Sequence, residues 1–181
     1  YGVSKSGSDR TEWRIMNTET GEYLPDTLAP NRQGGVSWLK DNSGFFYSSY
    51  PPAEKGQELK TTTYFQKLYF HKLGTPQSED YVVYERPDNK EYFVGGGVSE
   101  DGNWLLINVG KGTERMNMVY FKNLTMAKAP IMPLITDLKN SFSFIGNDGS
   151  TFYFRTDRDA ARGKVVSVDV LKETPEWKDV I

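Results

Sequence analysis

Short runs of apolar and polar residues in alternation, broken by Gly, Asp and Asn, recur along this chain. No stretch keeps the three-to-four-residue apolar spacing of an amphipathic helix of useful length. Three segments share one form, a short apolar strand that meets an Asp/Gly turn and returns as an aromatic or aliphatic strand. They are Val36-Ser-Trp-Leu-Lys-Asp-Asn-Ser-Gly44-Phe-Phe-Tyr-Ser, Gly97-Val-Ser-Glu-Asp-Gly102-Asn-Trp-Leu-Leu-Ile and Phe144-Ile-Gly-Asn-Asp-Gly149-Ser-Thr-Phe-Tyr-Phe. Asp and Asn tolerate turn conformations and Gly supplies positive φ, so each segment predicts a hairpin.

A second pair of strand-like runs follows each hairpin: Lys67–Leu73 with Tyr81–Tyr84, Asn117–Lys122 with Met132–Ile135, and Lys164–Asp169 with Trp177–Ile181. Each repeat thus predicts four antiparallel strands. The turn glycines Gly44, Gly102 and Gly149 lie 58 and 47 residues apart, near the roughly 40 to 50 residues of a propeller blade. Ahead of the first full repeat, Tyr1–Ser4, Thr11–Met16, the turn at Asn17–Glu22 and Tyr23-Leu24 read as strands of an incomplete blade. The expected fold is all-β, a partial β-propeller of about four blades within one domain, with an incomplete blade over 1–31 and blades over 32–88, 89–138 and 139–181. Two longer connections, Pro51–Phe65 and Leu124–Pro130, are candidates for functional loops or plain linkers.

Composition narrows the function classes. Charged residues are 25% of the 181 and hydrophobic ones 37%, the range of a globular protein. The 22 basic and 24 acidic side chains are interspersed, which leaves no electrostatic footprint for nucleic acid or an anionic membrane. The apolar runs are far shorter than the ~18 residues of a spanning helix. The chain has no cysteine, which excludes disulfides and thiolate metal sites and leaves the compartment open, cytoplasmic or periplasmic. Tyr1-Gly-Val-Ser reads as the middle of a strand, so an excised or truncated piece is expected.

Candidate chemistry is sparse. The sole histidine, His71, lies within a strand run, and no Gly-x-Ser-x-Gly elbow accompanies it, so it reads as a strand histidine with a satisfied hydrogen bond. Gly95-Gly-Gly97 lacks a dinucleotide fingerprint and opens a strand; close backbone approach is its expected role. Glu100-Asp101 and Asp157 with Asp159 read as turn acids in water, because neighbouring strand side chains point to opposite faces. Aromatic residues, 14% of the chain, fall mostly in strand runs and are expected to fill the core. Asn123-Leu-Thr125 matches a glycosylation acceptor pattern. No cofactor, metal site or catalytic residue is expected.

At Gln66-Lys-Leu-Tyr-Phe-His-Lys-Leu-Gly-Thr-Pro-Gln-Ser-Glu-Asp80 the chain resembles the propeller domain of prolyl oligopeptidases, serine peptidases that cleave short peptides after proline. Supporting stretches are Tyr1–Asp9, Leu24-Pro-Asp-Thr-Leu28, Trp38–Pro51, Tyr84-Glu-Arg-Pro-Asp88, Ser99-Glu-Asp-Gly102 and Lys111-Gly-Thr113. The resemblance implies part of a seven-bladed propeller that caps an α/β-hydrolase domain, its partner, which carries the serine, aspartate and histidine. It also implies a role in limiting access to short proline-containing peptides, with this chain alone inactive.

The resemblance places Asp9 where animal-type members have an aspartate near the substrate, making it the one candidate access residue, with a turn role as the plainer reading. Its partner arginine's place falls on Gly110, the cavity phenylalanine's on Gln33 and a cysteine's on Thr113. A partial propeller leaves sheet edges uncovered, so self-association is expected. The alternative is a stand-alone propeller-like scaffold that binds a protein partner.

Overall fold

The computed structural model describes residues 1–4, 7, 10–32, 34–51 and 63–181. Among them, fifteen strands and one short 3-10 turn, Gln77–Glu79, form four antiparallel sheets, the all-β class expected from the repeats. The first sheet is β1 (Gly2–Ser4), β2 (Arg10–Met16) and β3 (Tyr23–Arg32). The second is β4 (Val36–Trp38), β5 (Gly44–Ser49), β6 (Lys67–Lys72) and β7 (Tyr81–Tyr84). The third holds β8 (Tyr92–Val98), β9 (Trp104–Lys111), β10 (Asn117–Asn123) and β11 (Ile131–Ile135). The fourth holds β12 (Phe142–Asp148), β13 (Thr151–Thr156), β14 (Lys164–Asp169) and β15 (Trp177–Asp179). In every sheet spatial order follows chain order, as short turns between antiparallel neighbours require. The chain divides into two compact units, Tyr1–Gly96 and Gly97–Ile181.

In the first unit the core gathers Ile15, Leu28, Phe45 and Tyr47, with Trp13, Leu24, Val36, Trp38, Tyr69 and Leu73 packed around them. Along β5 every residue from Gly44 to Ser48 is buried, the signature of a strand covered on both faces. Phe45 and Tyr47 use one face, and Phe46 uses the other, against Phe70 at 5.1 Å between ring centres. In the second unit Trp104, Phe121 and Phe152 meet edge-to-face, with centres 5.1 to 5.9 Å apart. Phe144 and Phe154 close the cluster. Each such ring contributes roughly 1.5 to 3 kcal/mol by leaving water, so the aromatic runs serve as core.

Several elements differ from their sequence reading. β3 runs ten residues, Tyr23–Arg32, where Tyr23-Leu24 alone was expected. Pro25 argues against an interior strand, but β3 is an outer strand and needs ladder partners on one side only. At the first hairpin Asn42 carries the positive φ, 57°. Gly44 is needed for another reason: a Cβ there would collide with the His71 carbonyl oxygen and the Phe70 ring. The triple glycine lies inside β8 and does not open it; Gly96 passes so close to Leu68 that a Cβ would sit 2.7 Å from its methyl carbon. Of the connection Pro51–Phe65, positions 52–62 lie outside the described residues. The Leu124–Pro130 connection is pinned at both ends: the Asn123 Oδ1 accepts from the Thr125 amide at 2.8 Å, and Lys122 Nζ donates to the Ala129 carbonyl at 2.5 Å. Among the described residues no helix is long and apolar enough to cross a membrane.

Candidate functional site

The most organised cluster of titratable groups surrounds His71. It begins with strand alternation: on β3, Leu24, Asp26 and Leu28 share a face, and that face turns inward, with Leu28 and Asp26 both buried. An acid there must find a partner, because an uncompensated buried carboxylate costs several kcal/mol. The partner is His71 on β6, only 1% exposed, whose Nε2 lies 3.1 Å from Asp26 Oδ1. The backbone amide of Gly74 donates to the same oxygen at 2.5 Å.

On its other side, His71 Nδ1 lies 2.7 Å from Oδ1 of Asp80, which follows the 3-10 turn. The Tyr47 hydroxyl donates to Asp80 Oδ2 at 2.6 Å and accepts from Gln77 Nε2 at 3.3 Å. Gln77 Oε1 in turn accepts from the Ala29 amide at 3.0 Å. Burial, reinforced by the hydrogen bond to Asp80, pushes the Tyr47 phenol well above its ordinary value, so it acts as a permanent donor. The Phe45 ring lies against the imidazole at 5.0 Å. Both ring nitrogens face carboxyl oxygens, and with both acids ionised the two bonds form together only when each nitrogen carries a hydrogen.

This arrangement ties β3 and β6 to the segment before β7. A histidine and an aspartate at 2.7 Å are two parts of a hydrolytic triad, but the nearest hydroxyl in the network, Tyr47, is committed to the carboxylate and the ring is closed to solvent. The reading of His71 as a satisfied strand histidine is therefore right in kind. Sequence reasoning missed Asp26 and Asp80, and the signal for Asp26 was an acid in phase with Leu24 and Leu28 on an otherwise apolar strand.

Asp9, the candidate access residue, lies outside the described residues, as does Gln33. Gly110 is buried in β9 and pairs with Asn117 of β10. Asn117 is itself buried; its Oδ1 accepts from the Phe142 amide at 2.7 Å, and its Nδ2 donates to the Phe142 carbonyl at 3.0 Å. Thr113 is exposed in the β9–β10 turn. Of the turn acids, Asp101 accepts from Ser99 Oγ, from the backbone and side chain of Asn103, and from Asn147 Nδ2. Partial desolvation pushes its carboxyl upward, but these donors outweigh that effect and hold it at about 2. Asp157 accepts from the Ser141 amide at 2.9 Å, and Asp159 takes a positive φ of 56°. No group of three or more metal-ligating side chains occurs among the described residues.

Four-stranded meanders repeated in series, with aromatic cores and sealed polar ties, define a propeller-type domain. The chain belongs to the prolyl oligopeptidase family: residues 1–181 match its N-terminal beta-propeller domain. It is 35% identical over 182 residues to a prolyl endopeptidase of Elizabethkingia miricola, covering 100% of this chain and 25% of that protein. A solved prolyl endopeptidase structure superimposes on all of the chain with a TM-score of 0.90 at 31% identity, covering 25% of its own length. Prolyl oligopeptidase B from Galerina marginata, solved with a 25mer macrocyclization substrate, gives a TM-score of 0.89 at 27% identity, covering 100% of this chain and 27% of that one. The chain thus spans about a quarter of the length of these relatives.

Proposed function

We propose that this chain is the part of a prolyl oligopeptidase-like serine peptidase that limits which peptides reach the active site, with the catalytic serine, aspartate and histidine on a hydrolase domain elsewhere in the same protein. The observation that carries this reading is the match of all 181 residues to the N-terminal propeller domain of that family. The state of His71 supports it: the one histidine of the chain is fully enclosed and bound on both sides by carboxylates, and a general base must reach the reacting proton. The substrates on this reading are short peptides containing proline. Asp9 is the candidate access residue on this reading.

The test compares three proteins on two substrates, a short chromogenic peptide with proline before the leaving group and an unfolded protein containing the same sequence. The whole protein is expected to cleave the short peptide and spare the long one, and the isolated 181-residue chain to cleave neither. The whole protein with residues 1–181 excised is expected to lose the preference for length. Turnover by the isolated chain that follows it through purification, or a length preference unchanged by the excision, overturns the reading.

A further inference from the structure

We propose that His71, Asp26 and Asp80 form a protonation-controlled latch that holds β3, the outer strand of the first sheet, against β6 of the second. The three side chains are 1%, 2% and 3% exposed, so water cannot replace a hydrogen bond that one of them loses. They come from three places in the chain, β3, β6 and the residue after the 3-10 turn, and all belong to the first unit. The titratable groups that bear on the ring are Asp26 from β3, Asp80 from the segment before β7, and Tyr47 from β5 through Asp80. Phe45 covers one face of the ring.

The two arms of the latch are unequal, which gives it a direction of opening. On one side Asp80 is held at 2.7 Å and keeps the Tyr47 hydroxyl whatever the ring does. On the other, Asp26 is held at 3.1 Å and has the Gly74 amide beside it. A ring that has lost one hydrogen keeps the shorter bond and presents a lone pair to Asp26, and two facing acceptors repel. An open cleft of about 540 Å3, lined by Asp26, Thr27, Ala29, Gly74, Thr75 and Gln77, borders this weaker arm. Water in it can take up Asp26 once the strand moves. The direction follows: the latch is closed while the ring carries a hydrogen on both nitrogens and opens at β3 when base removes one of them.

The test is hydrogen–deuterium exchange, corrected for intrinsic rates, on the whole protein that carries these residues, from weakly acidic to alkaline pH. In the wild type, protection over β3 and over residues 73–80 is expected to fall as pH rises, while β13 and β14 stay unchanged. His71→Gln, which keeps a polar side chain and cannot titrate, is expected to exchange about tenfold to a hundredfold faster in those two segments at weakly acidic pH, with a flat pH profile. Asp26→Asn keeps the ring and can present to it either an acceptor or, on rotation of the amide, a donor, so its protection is expected to depend less on pH than that of the wild type. It tests the latch even if His71→Gln does not fold. A constant ratio of wild-type to His71→Gln protection across pH, an Asp26→Asn profile that coincides with the wild type, or a loss spread equally over β13 and β14, overturns the proposal.

Discussion

Asp101 is largely in water, yet it accepts hydrogen bonds from three different residues and thereby joins the β8–β9 turn to Asn147 of β12. Its carboxyl, at about 2 in the folded chain, lies below the ~3.9 of an unfolded aspartate. A depressed folded value means that the contribution to stability is fully present above ~3.9 and is lost as pH falls toward 2. The expected outcome is that Asp101→Asn narrows the acid part of the stability profile: the gap between wild-type and variant urea midpoints, constant at neutral pH, shrinks as pH falls through that range. A gap that stays constant down to acid denaturation contradicts this. At this scale the turn role of Asp101 was legible, because Ser99-Glu-Asp-Gly102 is a turn signature whatever surrounds it. The pairing of His71 with Asp26 was not legible, because 45 residues separate them and nothing local brings them together.

Elements show the same divide between local and distant causes. Hairpins with Asp/Gly turns were readable because turn chemistry acts over four residues, and Gly102 and Gly149 do carry positive φ, 78° and 56°. The length of β3 was not readable, since Pro25 is a strand breaker unless the strand lies at an edge, and edge position is a property of the sheet. Gly96 belongs to this second class. Its place inside β8 is set by the approach of Leu68 from β6, where a Cβ would meet both terminal methyl carbons at 2.7 and 2.8 Å. Gly96→Val is therefore expected to lower stability by about 1 to 3 kcal/mol, read as a drop in urea midpoint with an unchanged slope. Gly95→Ala, where a Cβ meets nothing within 4 Å, is expected to change it little. Equal effects of the two substitutions contradict the packing argument.

For the whole molecule, sheet edges decide the expected behaviour in solution. β1 is a three-residue edge strand of the only three-stranded sheet among the described residues, and β7 is an outer strand of Tyr81-Val-Val-Tyr84 without proline or charge. Tyr81 and Val82 are exposed at 58% and 40%, and edges of this kind favour association. The isolated chain is expected to self-associate, with a mass by light scattering that rises with concentration. Val82→Lys, which puts a charge on the β7 edge, is expected to reduce that rise, and a monomer at all concentrations contradicts the expectation. By itself the sequence determined the class of fold, because alternation, turn residues and repeat spacing are each local or periodic and survive without knowledge of contacts. It also determined the family, through stretches spread from Tyr1 to Thr113. Only the tertiary structure decided what the buried charges do: a carboxylate on an apolar face is a cost until a particular donor reaches it, and folding alone brings His71, Asp26 and Asp80 within hydrogen-bonding distance.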